Sequence, residues 1–197
     1  MANYGGKACN MGMGKLASPT TIFKRKFRWG LTIQMPCSGP TLEEYMVKVA
    51  ARPNLSIEET EINMKHGKMY IPGKASWETI TVTFYDIAGS EVASQITALY
   101  SWIISVFDFT TGLQGNLCMG DMYKNYAGIV TLQMYSGCGD VLEKWVLKDA
   151  WPQAVNWNDL DYSSSEEATI EMTLRYANVE YSSPCMEFSG GCCGPCK

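Results

Sequence analysis

The segment "ATIEMTLRYANVEY" (residues 168–181) alternates apolar and polar side chains over most of its length. Its apolar positions are Ile170, Met172, Leu174 and Tyr176. Its polar positions are Thr169, Glu171, Thr173 and Arg175. Because successive side chains of a β-strand point to opposite faces, this period of two predicts a strand with one buried face. We expect a fold built mainly from such strands.

Three further segments extend the pattern. "WETITVTFYD" (77–86) alternates apolar residues with threonines, which predicts a half-buried strand. "IVTLQMY" (129–135) and "VLEKWVLKDAW" (141–151) flank "SGCGD" (136–140). This arrangement predicts two strands joined by a tight hairpin turn.

A long hairpin and one helix complete the predicted elements. "LSIEETEINMKHGKMYIP" (55–72) predicts two strands around a turn at His66 and Gly67. "GSEVASQITALYSWIISVFD" (89–108) has the helical period, and Ser90 is a suitable N-cap. The apolar stripe of this helix consists of Val92, Ile96, Leu99, Ile103 and Val106. We expect the stripe to pack on the sheet.

Composition indicates a globular chain, and charge is distributed unevenly along it. The 197 residues are 46% hydrophobic and 18% charged, which fits a single domain with a sizeable core. Residues 1–40 contain six basic residues and no acid, which gives them a charge of +6. Because the whole chain has a net charge of −4, residues 41–197 carry −10. The six basic residues are Lys7, Lys15, Lys24, Arg25, Lys26 and Arg28. Such a basic segment binds nucleic acid in some proteins, and in others it docks on an acidic neighbouring copy.

The same basic residues enter a predicted strand. "TIFKRKFRWGLTIQM" (21–35) alternates, which would place Lys24, Lys26 and Arg28 on one face as a basic stripe. Charge on an open strand face is more often solvated or paired with a partner chain than bound to nucleic acid.

Membrane and secretion signals are not visible in the sequence. The opening residues lack an apolar signal-peptide core, and "ALYSWIISVF" (98–107) is too short to span a bilayer. We therefore expect a soluble protein made in the cytoplasm, with no membrane insertion.

No group of residues has the pattern of an active site. The single histidine, His66, lies between Lys65 and Lys68 and is expected to be an exposed turn residue rather than a catalytic base. Asp159 and Asp161 lack the spacing of a calcium loop and are expected in a turn. We expect no catalytic residues, no metal site and no cofactor.

The final segment "PCMEFSGGCCGPCK" (184–197) holds four of the eight cysteines. A structural zinc site needs about four thiolate or imidazole ligands, and only one CxxC pair, Cys193 and Cys196, is present. That pair also lacks the preceding strand and following helix of a redox motif. Disulfides, free thiols and a zinc site all remain open for this segment.

The segment "LKDAWPQAVNWNDLDYSSSEEATIEMTLRYANVEY" (147–181) resembles the closing part of tail tube proteins from contractile-tailed bacteriophages. The shared features are a Trp151-Pro152 step, a Leu160-Asp161-Tyr162 step, a polar loop and a long alternating strand. The order of upstream elements also matches, so the resemblance covers about residues 22–181.

The resemblance implies a β-sandwich or barrel with one flanking helix and a long hairpin. It further implies hexameric rings with a continuous inner β-barrel, stacked into a tube that delivers phage DNA into the host. The implied partners are other copies of the chain, the tail sheath protein, and baseplate and tail terminator proteins. The implied location is the virion tail, assembled in the host cytoplasm. DNA would pass without specific contacts.

On this basis we divide the chain into an N-terminal arm (1–21), a tail-tube β-barrel domain (22–181) and a cysteine-rich tail (182–197). We expect the basic stripe on an intersubunit or sheath-facing surface, because basic side chains in the lumen would hold DNA. We expect disulfides to a neighbouring chain or to the arm after oxidation. The candidate cysteines are Cys9, Cys185, Cys192, Cys193 and Cys196.

Two other classes remain open. One is a related ring-forming protein, such as a type VI secretion tube protein or a tube terminator. The other is a small metal-binding or redox protein built around the cysteines.

Overall fold

The computed structural model describes residues 24–36, 41–87, 93–114 and 126–183. One α-helix lies in these ranges, α1 (Ala93–Val106), together with a 3-10 turn at Glu44–Met46. The strands are β1 (Trp29–Gln34), β2 (Thr41–Leu42), β3 (Val47–Ala50), β4 (Leu55–Met64), β5 (Gly67–Trp77), β6 (Ile80–Tyr85), β7 (Phe107–Asp108), β8 (Leu113–Gln114), β9 (Gly128–Tyr135), β10 (Val141–Asn156), β11 (Thr169–Arg175) and β12 (Asn178–Ser182).

One antiparallel sheet organises the fold, in the order β2-β1-β9-β10-β11-β6-β3, with β12 also paired to β10. The first part of β10 pairs with β9 and β12, and its second part, from Trp151 to Asn156, pairs with β11. The register shifts between Leu147 and Ala150, where Asp149 has a positive φ of 55°. Such a bulge bends a strand, so β10 can serve both halves of the sheet.

The core lies between the two halves of this sheet. Leu31 and Val130 come from one half, and Phe84 and Met172 come from the other, yet all belong to one buried cluster. Since strands far apart in the sheet order share a core, the two halves of the sheet pack face to face around it. The mainly β architecture predicted from the sequence is confirmed.

Helix α1 packs against the core as the period of its sequence predicts. Leu99 and Ile103 are buried, and Ile96 packs against the same cluster. Trp102, which the predicted stripe omits, is also buried and donates a 2.7 Å hydrogen bond from Nε1 to the backbone oxygen of Tyr126. The predicted cap at 90 and the first stripe position at 92 lie outside the described residues.

Strands β4 and β5 form the predicted long hairpin, with its turn at Lys65 and His66, one residue earlier than predicted. Their register runs from Leu55 opposite Trp77 to Met64 opposite Gly67. Each of the two strands pairs only with the other in the described part of the chain. The hairpin therefore stands apart from the main sheet.

Two expected strands differ in the structure. Residues 24–28 are not a strand: the Arg28 amide donates to the Arg25 carbonyl across a turn, and β1 begins at Trp29. The predicted stripe of Lys24, Lys26 and Arg28 on one strand face is therefore wrong. The cause is local, because the acceptor for the Arg28 amide lies within the same turn rather than on a neighbouring strand.

The last predicted strand is divided in two. It stops at Arg175, and the Ala177 amide then bonds to the Lys148 carbonyl at 3.1 Å. Strand β12 continues along the first part of β10 after this step. The break coincides with the bend of β10 at Asp149, so both strands change direction together.

Candidate assembly surfaces

The face opposite the core is polar across strands β6 and β11. Across β6 and β11, Thr83 lies opposite Glu171 and Thr81 opposite Thr173, and all four side chains are half-buried. Threonine, glutamate and glutamine suit a wet surface, while the apolar alternates fill the core. This part of the sheet therefore presents hydroxyl groups and one carboxylate on its outward face.

The hairpin exposes apolar side chains along its whole length. Every residue from 55 to 76 is exposed, including Ile57 at 55% and Tyr70 at 56%. The other large apolar residues exposed on it are Leu55, Ile62, Met64, Met69 and Ile71. An ion pair of 2.8 Å between Lys68 and Glu61 bridges the two strands near the turn. Several large apolar side chains exposed on one short element are typical of a protein–protein interface.

Residues Arg25–Arg28, named here the basic turn, lie at the beginning of β10. The Arg28 carbonyl accepts a 2.9 Å hydrogen bond from the Tyr135 amide, and Tyr135 lies opposite Val141 in the sheet. Phe27 is 74% exposed, and the Arg28 guanidinium carbon lies 5.4 Å from the centroid of its ring. The basic turn therefore presents cations around one exposed aromatic ring.

Lys24 has a different role from the rest of the predicted stripe. It forms an ion pair with Glu143, a buried carboxylate on β10. Arg52 lies 3.6 Å from the same carboxylate, and Trp145 donates to it from Nε1 at 3.3 Å. These contacts hold the segment before β1 against the β9–β10 hairpin.

The environment of Glu143 lowers its pKa. Burial raises the pKa, but hydrogen bonds from Lys24 and Trp145 and the charge of Arg52 outweigh that effect. The sequence did not single out Glu143 or Arg52 as functional. The register shift between Val141 and Glu143 turns this acid inward, and alternation alone does not reveal such a shift.

Residues 157–168, named here the acidic loop, lie at the opposite end of β10. All twelve residues are exposed, and the loop lines a cleft of about 620 Å³. Leu160 is 87% exposed and Tyr162 is fully exposed. Its acids are Asp159, Asp161, Glu166 and Glu167, and it contains no basic residue. The loop therefore combines negative charge with uncovered apolar side chains.

Both ends of the acidic loop are fixed to the body. Asn158, at a positive φ of 53°, donates from Nδ2 to the Thr169 carbonyl at 3.0 Å and to the Thr169 hydroxyl at 2.9 Å. Trp157 stacks on Tyr100 of α1 and donates to its hydroxyl at 3.0 Å. These anchors set the position of the loop relative to the sheet.

One acid of the loop is engaged locally. The amide and hydroxyl of Ser163 donate to Asp161, and these bonds lower the pKa of its carboxyl group. Glu167 lies 3.5 Å from Lys48 of β3. Asp159 and Glu166 have no ion pair with any residue of the described ranges. The expected turn role of Asp161 agrees with its contacts.

The residues that carry the family resemblance follow one another along β10 and this loop. Trp151 is half-buried and meets Tyr126 edge-on at 6.3 Å, while Pro152 is buried. The register shifts between Pro152 and Ala154, a position where a strand tolerates a residue without an amide proton. The Leu160-Asp161-Tyr162 step lies in the exposed loop. The first step therefore packs within the subunit, whereas the second is available for contact with another molecule.

The remaining expected sites cannot be placed. Cys9, Cys185, Cys192, Cys193 and Cys196 lie outside the described residues. Within the described ranges, no three His, Cys, Asp or Glu side chains gather as they would around a metal ion. No α-helix in those ranges is long and apolar enough to cross a bilayer.

Comparisons with known proteins identify this architecture. No family model matches the chain. A tail tube protein of Serratia phage KSP90 is 20% identical over 159 residues, covering 78% of this chain and 85% of the phage protein.

Solved structures agree with that match. A chain of the anti-feeding prophage cap (AFP tube terminating cap) has a TM-score of 0.62 at 16% identity, covering 84% of this chain and 95% of its own. A chain of the extended PVC sheath-tube complex, from an extracellular contractile injection system, has a TM-score of 0.60 at 18% identity, covering 86% and 97%. The fold is that found in contractile injection systems, and the predicted resemblance to tail tube proteins is confirmed.

Proposed function

We propose that this protein is a structural subunit of the inner tube of a contractile phage tail. Its copies form hexameric rings, and the rings stack into a hollow tube through which phage DNA passes into the host. The observation that carries the proposal is the match to a phage tail tube protein over 78% of the chain, together with the fold shared with a sheath-tube complex. The role is structural rather than catalytic.

The exposed hairpin supports self-assembly. A two-stranded hairpin is marginally stable alone in water, and this one leaves Ile57 and Tyr70 more than half exposed. Covering such a hairpin with another copy removes apolar surface from water and protects its strand edges. Burial against neighbouring copies would therefore account for the apolar side chains that the hairpin exposes in a single subunit.

The polar face of the sheet supports a channel role. Thr81, Thr83 and Thr173 present hydroxyl groups, and Glu171 adds a negative charge among them. Since a lumen rich in lysine or arginine would bind phosphates, a neutral or acidic wall lets DNA move. We place this face toward the lumen and helix α1 on the far side of the sheet.

The partners follow from the same proposal. They are further copies of the chain, the sheath protein around the tube, and the baseplate and terminator proteins at its ends. The AFP cap structure and the sheath-tube complex, both with TM-scores of 0.60 or more, support the terminator and the sheath as partners. We place the protein in the virion tail, assembled in the host cytoplasm.

Electron microscopy of the purified chain tests this function. We expect rings with sixfold symmetry that stack into tubes. A population of monomers only, at high protein concentration and in low salt, would refute the proposal.

A tube terminator is the second candidate, because the AFP tube terminating cap shares the fold to the same degree. Rings that never stack in the same preparation would favour it. Long tubes from the chain alone would exclude it.

We also propose that the cysteine tail joins neighbouring chains by disulfides once the tube leaves the reducing cytoplasm. The candidates are Cys9, Cys185, Cys192, Cys193 and Cys196. Non-reducing gels of oxidised tubes should show dimers and larger species that reductant removes. Monomer alone on those gels would refute the interchain bonds.

A further inference from the structure

We propose that rings stack head to tail, with the basic turn of one copy seated on the acidic loop of a copy in the next ring. This inference rests on the proposed tube function and names the surfaces that would carry the stacking. The basic turn is Arg25–Arg28 and the acidic loop is 157–168, as defined above.

The positions of the two surfaces carry the first step. The basic turn lies beside the first residue pair of β10, and the acidic loop follows its last residue, Asn156. Strand β10 has 16 residues between these two surfaces and bends at Asp149. The two surfaces are at opposite ends of one strand, and no ion pair joins them within the described residues of one copy.

Charge supplies the second step. Arg25, Lys26 and Arg28 form no ion pair with any described residue, whereas Lys24 is occupied by Glu143. At the other end, Asp159 and Glu166 are equally unpaired within the described ranges. Asp86 adds one more exposed acid there, since its amide bonds to the Ala168 carbonyl at 3.0 Å. Unmatched cations at one end and unmatched anions at the other fit a second copy of the same chain.

Apolar side chains supply the third step. Phe27 is 74% exposed in the basic turn, and Leu160 and Tyr162 are 87% and fully exposed in the acidic loop. Aromatic and arginine side chains are the residues enriched at interface anchors. Each surface therefore has exposed apolar side chains surrounded by charged ones. The charges are positive on the basic turn and negative on the acidic loop.

The geometry determines what such a contact builds. Two different patches of one protein that fit each other make a heterologous contact, which repeats from copy to copy. Because the patches lie at opposite ends of β10, a pair of copies leaves one patch free at each outer end, and the contact can repeat along a stack. Six such contacts form together between two rings. Their combined binding free energy can hold the rings together even though each surface ion pair is weak.

Charge reversal tests the inference. The basic variant carries Arg25→Glu and Lys26→Glu, the acidic variant carries Asp159→Lys and Glu166→Lys, and a fourfold variant combines them. We expect each double variant still to form rings. The mean length of its tubes, measured by electron microscopy, should be at least tenfold shorter than that of wild type. The fourfold variant restores the charge match and should recover long tubes.

Two controls separate the surfaces from general effects. Exchange of the Lys148–Glu180 ion pair, as Lys148→Glu with Glu180→Lys, reverses charges in the middle of β10 and should leave tube length unchanged. Wild-type tubes should shorten to rings in 1 M salt, where the screening length is about 3 Å.

Other results overturn the inference while leaving the tube function intact. Tubes of wild-type length from both double variants would do so. Loss of rings as well as tubes would place the surfaces within a ring. Failure of the fourfold variant to recover tubes would also contradict the pairing. If the basic variant loses only binding of duplex DNA, the basic turn serves nucleic acid. Absence of wild-type rings would instead refute the proposed function.

Discussion

Strands β6 and β4 both carry β-branched apolar side chains, but these side chains have opposite surroundings. Ile80, Val82 and Phe84 of β6 are at most 1% exposed, whereas Ile57 of β4 is 55% exposed. Strand β6 has a neighbour on each edge and a second layer above it, while β4 has only β5. The apolar side chains of β4 thus stay exposed because no other described strand of the subunit covers them. The hairpin's apolar surface is available for assembly because it contributes little to the core.

The largest effect is expected in the core at β6. Phe84→Ala removes a fully buried ring and should lower the free energy of unfolding by about 3–5 kcal/mol. Urea unfolding of the subunit, kept dilute and in high salt, measures this change. The matched variant Tyr70→Ala in the hairpin should change the subunit's stability by less than about 0.5 kcal/mol. Equal losses would show that the hairpin is part of the core.

A smaller effect is expected where two strands approach closely. A Cβ at Gly128 of β9 would lie 2.6 Å from the backbone oxygen of Gln34 and 3.5 Å from the Trp102 ring. Since neither neighbour can move freely, Gly128→Ala should cost about 1–3 kcal/mol in thermal or urea unfolding.

The hairpin again supplies the control for this change. A Cβ at Gly67 meets nothing within 4 Å, so Gly67→Ala should leave the unfolding free energy nearly unchanged. A neutral result at Gly128 would contradict the tight pairing of β1 with β9 at this point.

Sequence periodicity predicts the elements that pack one face on the core, but not those fixed by contacts distant in sequence. The alternation of residues 168–175 and 80–84 predicted both strand type and buried face, because each strand packs one face on the core. Periodicity likewise predicted α1. The same alternation failed at residues 24–28, where a turn supplies the hydrogen bonds and Lys24 pairs with Glu143, which is distant in sequence.

Function was predicted from the order of elements, not from any single side chain. The Leu160-Asp161-Tyr162 step was recognised in the sequence, but its exposure at the end of β10 was not. The position of the basic turn at the other end depends on strand pairing between β1, β9 and β10, which residues 24–36 alone do not specify.

Glu143 allows a test that depends on pH. Its folded-state pKa is lowered, so the carboxylate stabilises the fold above its unfolded pKa, and that contribution is lost as pH falls through the folded value. Glu143→Gln should therefore cost roughly 1–2 kcal/mol at pH 7, and the difference from wild type should fade below about pH 4.

Denaturant unfolding at several pH values measures this difference. Glu180→Gln is the matched control, because the Glu180–Lys148 pair is exposed and should contribute little at any pH. A loss at Glu143 that is the same at pH 3 and pH 7 would show that the carboxylate acts by packing rather than by charge.

The smallest effect on the subunit is expected at Ile57, where the same chemical change can be made on both sides of the comparison. Ile57→Thr and Ile80→Thr each replace one β-branched side chain by another and add a hydroxyl group. At Ile80, which is 1% exposed, the hydroxyl is buried and unfolding should be easier by more than 1 kcal/mol. At Ile57 the subunit should change by less than about 0.5 kcal/mol.

Assembly should respond in the opposite way. If neighbouring copies cover the hairpin, Ile57→Thr should lower the yield of rings or tubes sedimenting from a fixed concentration of folded subunit. Ile80→Thr, assayed where it remains folded, should assemble like wild type. A full yield of tubes from Ile57→Thr together with Tyr70→Thr would show that the hairpin stays uncovered in the assembly, because replacing both side chains removes two of its largest exposed apolar surfaces.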